Sequence, residues 1–159
     1  MPNDTTTLPY RLNVGAVLFS PTGLVFVGRR AGFPDSWQLP QGGIDEGENI
    51  RLALLRELKE EIGTDKAEIL AEHPHWLTYD LPPELLGVAW KGKYRGQRQK
   101  WFALRFTGTD ADINLYADAH PEFEDWRWVE LAALPDLAVS FKRNIYTTLA
   151  EDFASFAHP

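Results

Sequence analysis

The chain of 159 residues contains no cysteine. That absence excludes a disulfide framework or disulfide-linked partner, a thiolate zinc site and a cysteine nucleophile. Long apolar runs are missing too, and no stretch approaches the ~20 residues that a membrane-spanning helix requires. The N-terminal sequence MPNDTTTLPYR lacks the basic and apolar regions of a secretory leader. A soluble, cytoplasmic protein with no membrane partner is the expectation. The four histidines, His73, His75, His120 and His158, show no metal-binding helical spacing. His73 and His75, on either side of Pro74, read as ordinary sheet or loop residues. With no internal repeat, low-complexity segment or linker, and 44% hydrophobic residues, a single domain over 1–159 with one sizeable core is expected.

Charge is present but unevenly spread. A formal net charge of -7 argues against binding nucleic acid through bulk charge. Yet the stretch WKGKYRGQRQKW, from Trp90 to Trp101, holds Lys91, Lys93, Arg95, Arg98 and Lys100 around Tyr94 and contains no acid. Basic residues mixed with aromatics suit polyphosphate or single-stranded nucleic acid, through phosphate contacts and base stacking. A solvated basic loop is the competing reading.

Apolar, β-branched runs at 12–19 and 24–27, joined by Ser20-Pro21-Thr22-Gly23, predict two strands and a turn. Further strands are expected at 37–39, in pieces of 68–79 broken by Pro74, at 100–106 and at 126–129. Phe141, Ile145, Leu149, Phe153 and Phe156 recur at helical spacing, so a helix over 141–156 is expected to pack on the sheet. Strands with one helix in the middle and another at the end predict an α/β fold, a mixed sheet between helices.

The stretch with the most chemistry is GGIDEGENIRLALLRELKEEIG, from Gly42 to Gly63. It puts Glu57, Glu60 and Glu61 into two turns of a helix that Gly63 should stop. Like charges at i,i+4 cost a helix roughly 0.2–0.5 kcal/mol, and acids in its last turns oppose the macrodipole by about 0.3–1 kcal/mol. A divalent cation reverses both penalties. An all-oxygen cluster suits magnesium, with manganese as substitute, better than zinc. At about 100° per residue one helical face carries all three acids, while Leu54, Leu55, Leu58 and Ile62 fall on the other. Gly42 and Gly43 let the preceding loop approach an ion closely, with the Gly42 carbonyl as an added oxygen ligand. Arg56 is spaced to pair with Glu60.

This spacing resembles the signature of the Nudix hydrolases, G-x5-E-x7-R-E-U-x-E-E-x-G-U, from Gly42 through Glu48, Arg56, Glu57, Glu60 and Glu61 to Gly63. Only Thr64 departs, where an aliphatic residue is usual. Further segments are similar to one branch, the RNA pyrophosphohydrolases and dinucleoside polyphosphate hydrolases: Tyr10-Arg11 with Asn13-Val14-Gly15, SWQLPQGG at 36–43, GQRQKWF at 96–102, PEFEDWRWV at 121–129 and VSFKRNIY at 139–146. Leu12 departs, where that branch often has proline.

The resemblance implies a Nudix-type α/β/α sandwich with a mixed β-sheet and a loop-helix-loop metal site. By it, Glu57 and Glu61 are direct metal ligands, Glu60 is a further ligand or the base, and Glu122 adds a fourth carboxylate. The base stays open among Glu57, Glu60 and Glu122, because ligand and base require the same residue type. For substrate contact the similarity nominates Arg11, Arg30, Ser36, Gln97, Phe141 and Lys142. The implied activity is magnesium-dependent removal of pyrophosphate from 5′-triphosphorylated RNA, or hydrolysis of diadenosine tetraphosphate (Ap4A) to ATP and AMP. A nucleotide-sanitising or ADP-ribose hydrolase is the alternative, and a non-catalytic nucleotide- or RNA-binding module the third reading. The sequence leaves the oligomeric state open.

Overall fold

The computed structural model describes residues 7–159. The first six residues, part of the segment read above as unlike a leader, lie outside the described residues. In chain order the elements are β1 (Tyr10–Phe19), β2 (Val25–Arg30), β3 (Trp37–Gln38), β4 (Gln41–Gly43), α1 (Ile50–Ile62), β5 (Ala67–Glu72), β6 (Leu77–Asp80), β7 (Gly96–Phe106), β8 (Phe123–Val129), α2 (Leu134–Leu137) and α3 (Arg143–Asp152).

One mixed sheet carries all eight strands in the order β3-β2-β1-β7-β5, with β4 on β1, β6 on β7 and β8 on β2. Strands β1 and β7 run parallel in unbroken register from Tyr10 opposite Gly96 to Phe19 opposite Arg105. The other pairs are antiparallel. Because side chains alternate along a strand, β1 feeds two cores. Val14, Ala16 and Leu18 join Phe102, Leu104 and the α1 residues Leu54, Leu58 and Ile62 on one face. Val17 and Phe19 join Val27, Ala103 and the α3 residues Ile145, Tyr146 and Leu149 on the other. The predicted α/β/α sandwich with a mixed sheet is thus observed.

Helix α1 has the expected apolar stripe, with Leu55 only partly buried. Asn49 caps its start, accepting from the Arg51 and Leu52 N–H groups at 3.0 and 3.2 Å. Gly63 ends it as expected, left-handed at φ 81°, with its N–H on the Lys59 carbonyl.

Three expectations need correction. The C-terminal helix spans Arg143–Asp152 rather than 141–156, flanked by short 3-10 turns at Ser140–Lys142 and Ala154–Phe156. Phe141 sits in the 3-10 turn ahead of the helix, which Lys142 joins to α3 at φ -106° and ψ -5°. Strand β7 begins at Gly96, not Lys100, so the second half of the basic stretch is sheet and not loop. Strand β8 begins at Phe123, ahead of Trp126. His73 is structural, as read: it is buried, with one ring nitrogen 2.7 Å from Asp152 at the end of α3.

Gly15 lies opposite Trp101, and a Cβ there would overlap the indole ring. That ring is fully buried, and its N–H donates to Gln99 Oε1 at 3.2 Å, so it has nowhere to retreat. Gly15→Ala is therefore expected to lower stability by about 1–3 kcal/mol through overpacking. Urea denaturation should show an earlier midpoint with an unchanged slope; an unchanged midpoint would mean that the indole yields.

Candidate active site

The loop before α1 folds back over the helix, and Arg56 fastens it. Its Nε and Nη2 donate to the Glu48 carboxylate at 2.7 and 2.8 Å, Nη2 also to the Gly43 carbonyl at 3.0 Å, and Nη1 to Glu57 at 2.9 Å. Glu60 accepts from the same Nη1 only at 3.4 Å. The expected Arg56–Glu60 pair exists, but Glu48 is the main partner, in a bidentate geometry that lysine could not reproduce. Glu48 also accepts from the Asp45 N–H at 3.0 Å. The guanidinium and that N–H hold its carboxyl down at about 2.

Behind this clasp lies a cleft of about 810 Å³, within the usual range of about 300–1,000 Å³ for small-molecule sites. The structure brings Arg11, Arg30, Ser36, Gly42, Glu57, Glu61, Gln97, Glu122, Phe141 and Lys142 to its lining. Of the predicted set, Glu60 and Arg56 are absent from that lining: Glu60 is exposed on the outer side of α1 beside the Arg56 guanidinium.

The electrostatics of the acidic side are unbalanced. Glu61 is 8% exposed and accepts from the Gln41 N–H at 3.2 Å. Burial, and then the charges of Glu57 and Glu122, push its carboxyl well above the usual range. Burial also raises Glu57, against the opposing pull of Arg56. A Cβ at Gly42 would overlap the Glu57 carboxylate, so only glycine lets this strand pass so close. Glu122 faces the cleft from an irregular end of β8, where Arg29 pairs with Asp125 but Arg30 with Phe123.

Among the described residues, no three acidic or histidine side chains converge into a ready-made ion cage. Arg56 keeps Glu57 and Glu60 turned toward itself. The donor set still fits a hard divalent cation, since under-compensated carboxylates beside an open glycine backbone are what such an ion neutralises.

The opposite side is cationic and aromatic. Across β1, β7 and β6, Arg11, Gln97 and Tyr79 stand in one row. Arg11 Nη1 donates to Gln97 Oε1 at 3.0 Å, and Gln97 Nε2 to the Tyr79 hydroxyl at 2.6 Å. In the next row Gln99 donates to Asn13 at 3.1 Å, and Asn13 to the Gln41 side chain at 2.6 Å. That network steadies the residue whose N–H holds Glu61. Phe141 packs tilted on Tyr79 with ring centres 5.4 Å apart, and Lys142 Nζ lies 5.5 Å from the same ring. Burial and the neighbouring Arg30 bring the Lys142 ammonium down to about 8, against the pull of Glu122 and Glu61. Arg30 lies over Phe33 at 4.3 Å, and the Ser36 carbonyl accepts from the Arg30 N–H at 2.9 Å.

Sequence reasoning missed Tyr79, Tyr146 and Trp90, which also line the cleft, and gave Glu48 no role. The β6–β7 register that sets Tyr79 beside Gln97 has no local signal. For Trp90 the aromatic-and-basic stretch was the available cue. It and Lys91 have left-handed backbone at φ 50° and 58°, a conformation that costs about 1–2 kcal/mol per residue.

The raised Glu61 carboxyl has a pH consequence. The folded, metal-free protein binds more protons than the unfolded chain from about pH 4.5 up to the raised folded value, so its stability falls as pH rises through that window. Magnesium or manganese should therefore raise the Tm more at pH 8 than at pH 5. In Glu61→Gln the metal-free Tm should depend less steeply on pH, with the remainder from Glu57, and the ion-induced shift should shrink. Equal ion-induced shifts at both pH values would contradict the assignment.

A protein-family model described as NUDIX domain matches residues 9–149. An RNA pyrophosphohydrolase of Acidiphilium cryptum is 59% identical over 156 residues, 96% of this chain and 94% of its own. Another, from Gluconacetobacter diazotrophicus, is 54% identical over 98% of each chain. Among solved structures, the E. coli dihydroneopterin triphosphate pyrophosphohydrolase matches with a TM-score of 0.69 at 21% identity, over 91% of this chain and 99% of its own. A C. elegans Ap4A hydrolase binary complex matches at 0.65 and 22%, over 91% of this chain and 98% of its own. At those identities the two structures speak for the fold alone. With the family model spanning most of its length and relatives of more than half identity over nearly all of it, this chain belongs to the Nudix hydrolase family.

Proposed function

We propose that the chain is a magnesium-dependent pyrophosphohydrolase, with manganese able to substitute, that works in the cytoplasm as one Nudix domain. Its substrates are 5′-triphosphorylated RNA, from which pyrophosphate leaves a 5′-monophosphate, and dinucleoside polyphosphates such as Ap4A, split to ATP and AMP. The supporting observation is a single cleft that joins under-compensated carboxylates, Glu61 and Glu57, to the cations Arg11, Arg30 and Lys142 and to the aromatic pair Phe141–Tyr79. Near-full-length relatives named RNA pyrophosphohydrolase support the same reading.

In this mechanism Glu57, Glu61 and Glu122, with the Gly42 carbonyl, would hold the divalent ions, and Glu60, on α1 beside Arg56, would be a further carboxylate. Divalent ions held there would supply a lowered pKa for bound water and neutralisation of charge on the phosphate oxygens. The protein's remaining work is positioning, because the transferred group passes through a loose, anionic transition state. Arg11 and Lys142 bind the polyphosphate. An ammonium with a pKa of about 8 is mostly protonated at neutral pH, and a phosphate beside it raises that value again. Gln97 holds the Arg11 guanidinium in line, while Tyr79 fixes Gln97. Phe141 and Arg30 flank the base, with Ser36 at the edge of the same segment. A carboxylate of the Glu57, Glu60 and Glu122 set accepts the proton of the attacking water.

The test is product analysis with magnesium on triphosphorylated RNA, Ap4A, free nucleoside triphosphates and ADP-ribose. The first two should be preferred, yielding pyrophosphate from RNA and ATP plus AMP from Ap4A. Preference for ADP-ribose would replace the substrate class and leave the metal site standing. Glu57→Gln and Glu61→Gln should each lower kcat/KM by about 100-fold or more; wild-type rates in either variant would refute its metal role.

A further inference from the structure

The left-handed turn at Trp90 is not used by the mechanism above. Non-glycine residues at positive φ persist only where their surroundings hold them, and they gather at ligand-binding sites. Here two are consecutive, Trp90 (φ 50°, ψ 37°) and Lys91 (φ 58°, ψ 28°), followed by Gly92 at φ 74°. The Lys93 N–H closes the turn on the Trp90 carbonyl at 3.2 Å. The outcome is an indole that touches the edge of the core yet lines the cleft. Tyr94 meets it edge-on at 6.1 Å, and the Arg11 guanidinium lies 5.6 Å from its ring. Val88, in the same loop, also lines the cleft and is 70% exposed.

A second aromatic station exists where Phe141 packs on Tyr79. Trp90 lies against Arg11, and Arg11, Gln97 and Tyr79 share one row across three adjacent strands. Trp90 thus adjoins one end of that row, beside Arg11, and Phe141 the other, beside Tyr79. Between them lie the groups assigned to phosphate. A one-base nucleotide occupies only one station.

We propose that Trp90 is a base-stacking platform, a specificity-determining residue that favours substrates with a second nucleobase joined through phosphate. The second base is either the next nucleotide of an RNA or the far nucleoside of a dinucleoside polyphosphate. Aromatic faces accept any base, so this platform counts bases and does not read their identity. The inference rests on the nucleotide-polyphosphate reading of the cleft.

Equilibrium binding tests it without turnover, by calorimetry with magnesium and three non-hydrolysable ligands: α,β-methylene ATP, a dinucleotide carrying an α,β-methylene triphosphate, and methylene-bridged Ap4A. Trp90→Ala should weaken at least one two-base ligand by on the order of tenfold, with the one-base ligand changed less than twofold. The ligand that loses affinity identifies which second base the platform takes. Trp90→Phe should stay within about threefold of wild type, and Trp90→Leu, which keeps bulk without a ring, should behave like Trp90→Ala. Equal changes for all three ligands, or none, overturn the platform. An inactive wild type that still shows the pattern removes the hydrolase reading and leaves the platform. A wild type that binds none of the three removes both.

Discussion

The site depends on one guanidinium. Arg56 joins the helix that carries the acids to the loop that carries the glycines, through Glu48, the Gly43 carbonyl and Glu57. Its planar fork meets these acceptors in one fixed orientation, so the loop has little freedom to slide along α1. The distance between the Gly42 backbone and the helix carboxylates follows from that clasp. Arg56 also supplies positive charge that offsets the repulsion between Glu57 and Glu61.

The sheet supplies the rest by dividing its two faces unequally. On the α1 face, β1 and β7 are apolar over the contact and serve packing. On the α3 face the same strands change character along their length, from Val17 and Ala103 in the core, through the buried amides Asn13 and Gln99, to Arg11 and Gln97 at the cleft. Each buried amide there finds a partner, as a polar group at such depth must. Stability and substrate contact thus come from successive residues of the same strands.

The acidic helix was legible because its logic is local: a 3.6-residue period aligns Glu57 and Glu61, and Gly63 sets the end. The α/β/α layering was legible from the order of strands and helices. The Arg56 partners were less so, because i,i+4 spacing points to Glu60 whereas the folded-back loop delivers Glu48 and a carbonyl. The first half of β7 was hidden for a different reason. Its inward positions are Gln97 and Gln99, so the buried alternation that marks a strand is polar there and resembles a loop. Phe141 fits the aromatic period of α3 but lies two residues ahead of it, in a 3-10 turn that precedes the helix.

The parallel pairing of β1 with β7 joins residues 86 positions apart, as the Arg11–Gln97 hydrogen bond records. Closing so long a loop is entropically slow and precedes any return from the contacts it makes. Gln97, the middle member of the cleft's polar row, comes from β7, so a nascent chain released before β7 has the complete acidic helix and an incomplete pocket. Glu122, Phe141 and Lys142 follow later still, after β7 in the chain, so competence arrives only with the C-terminal third of the sequence.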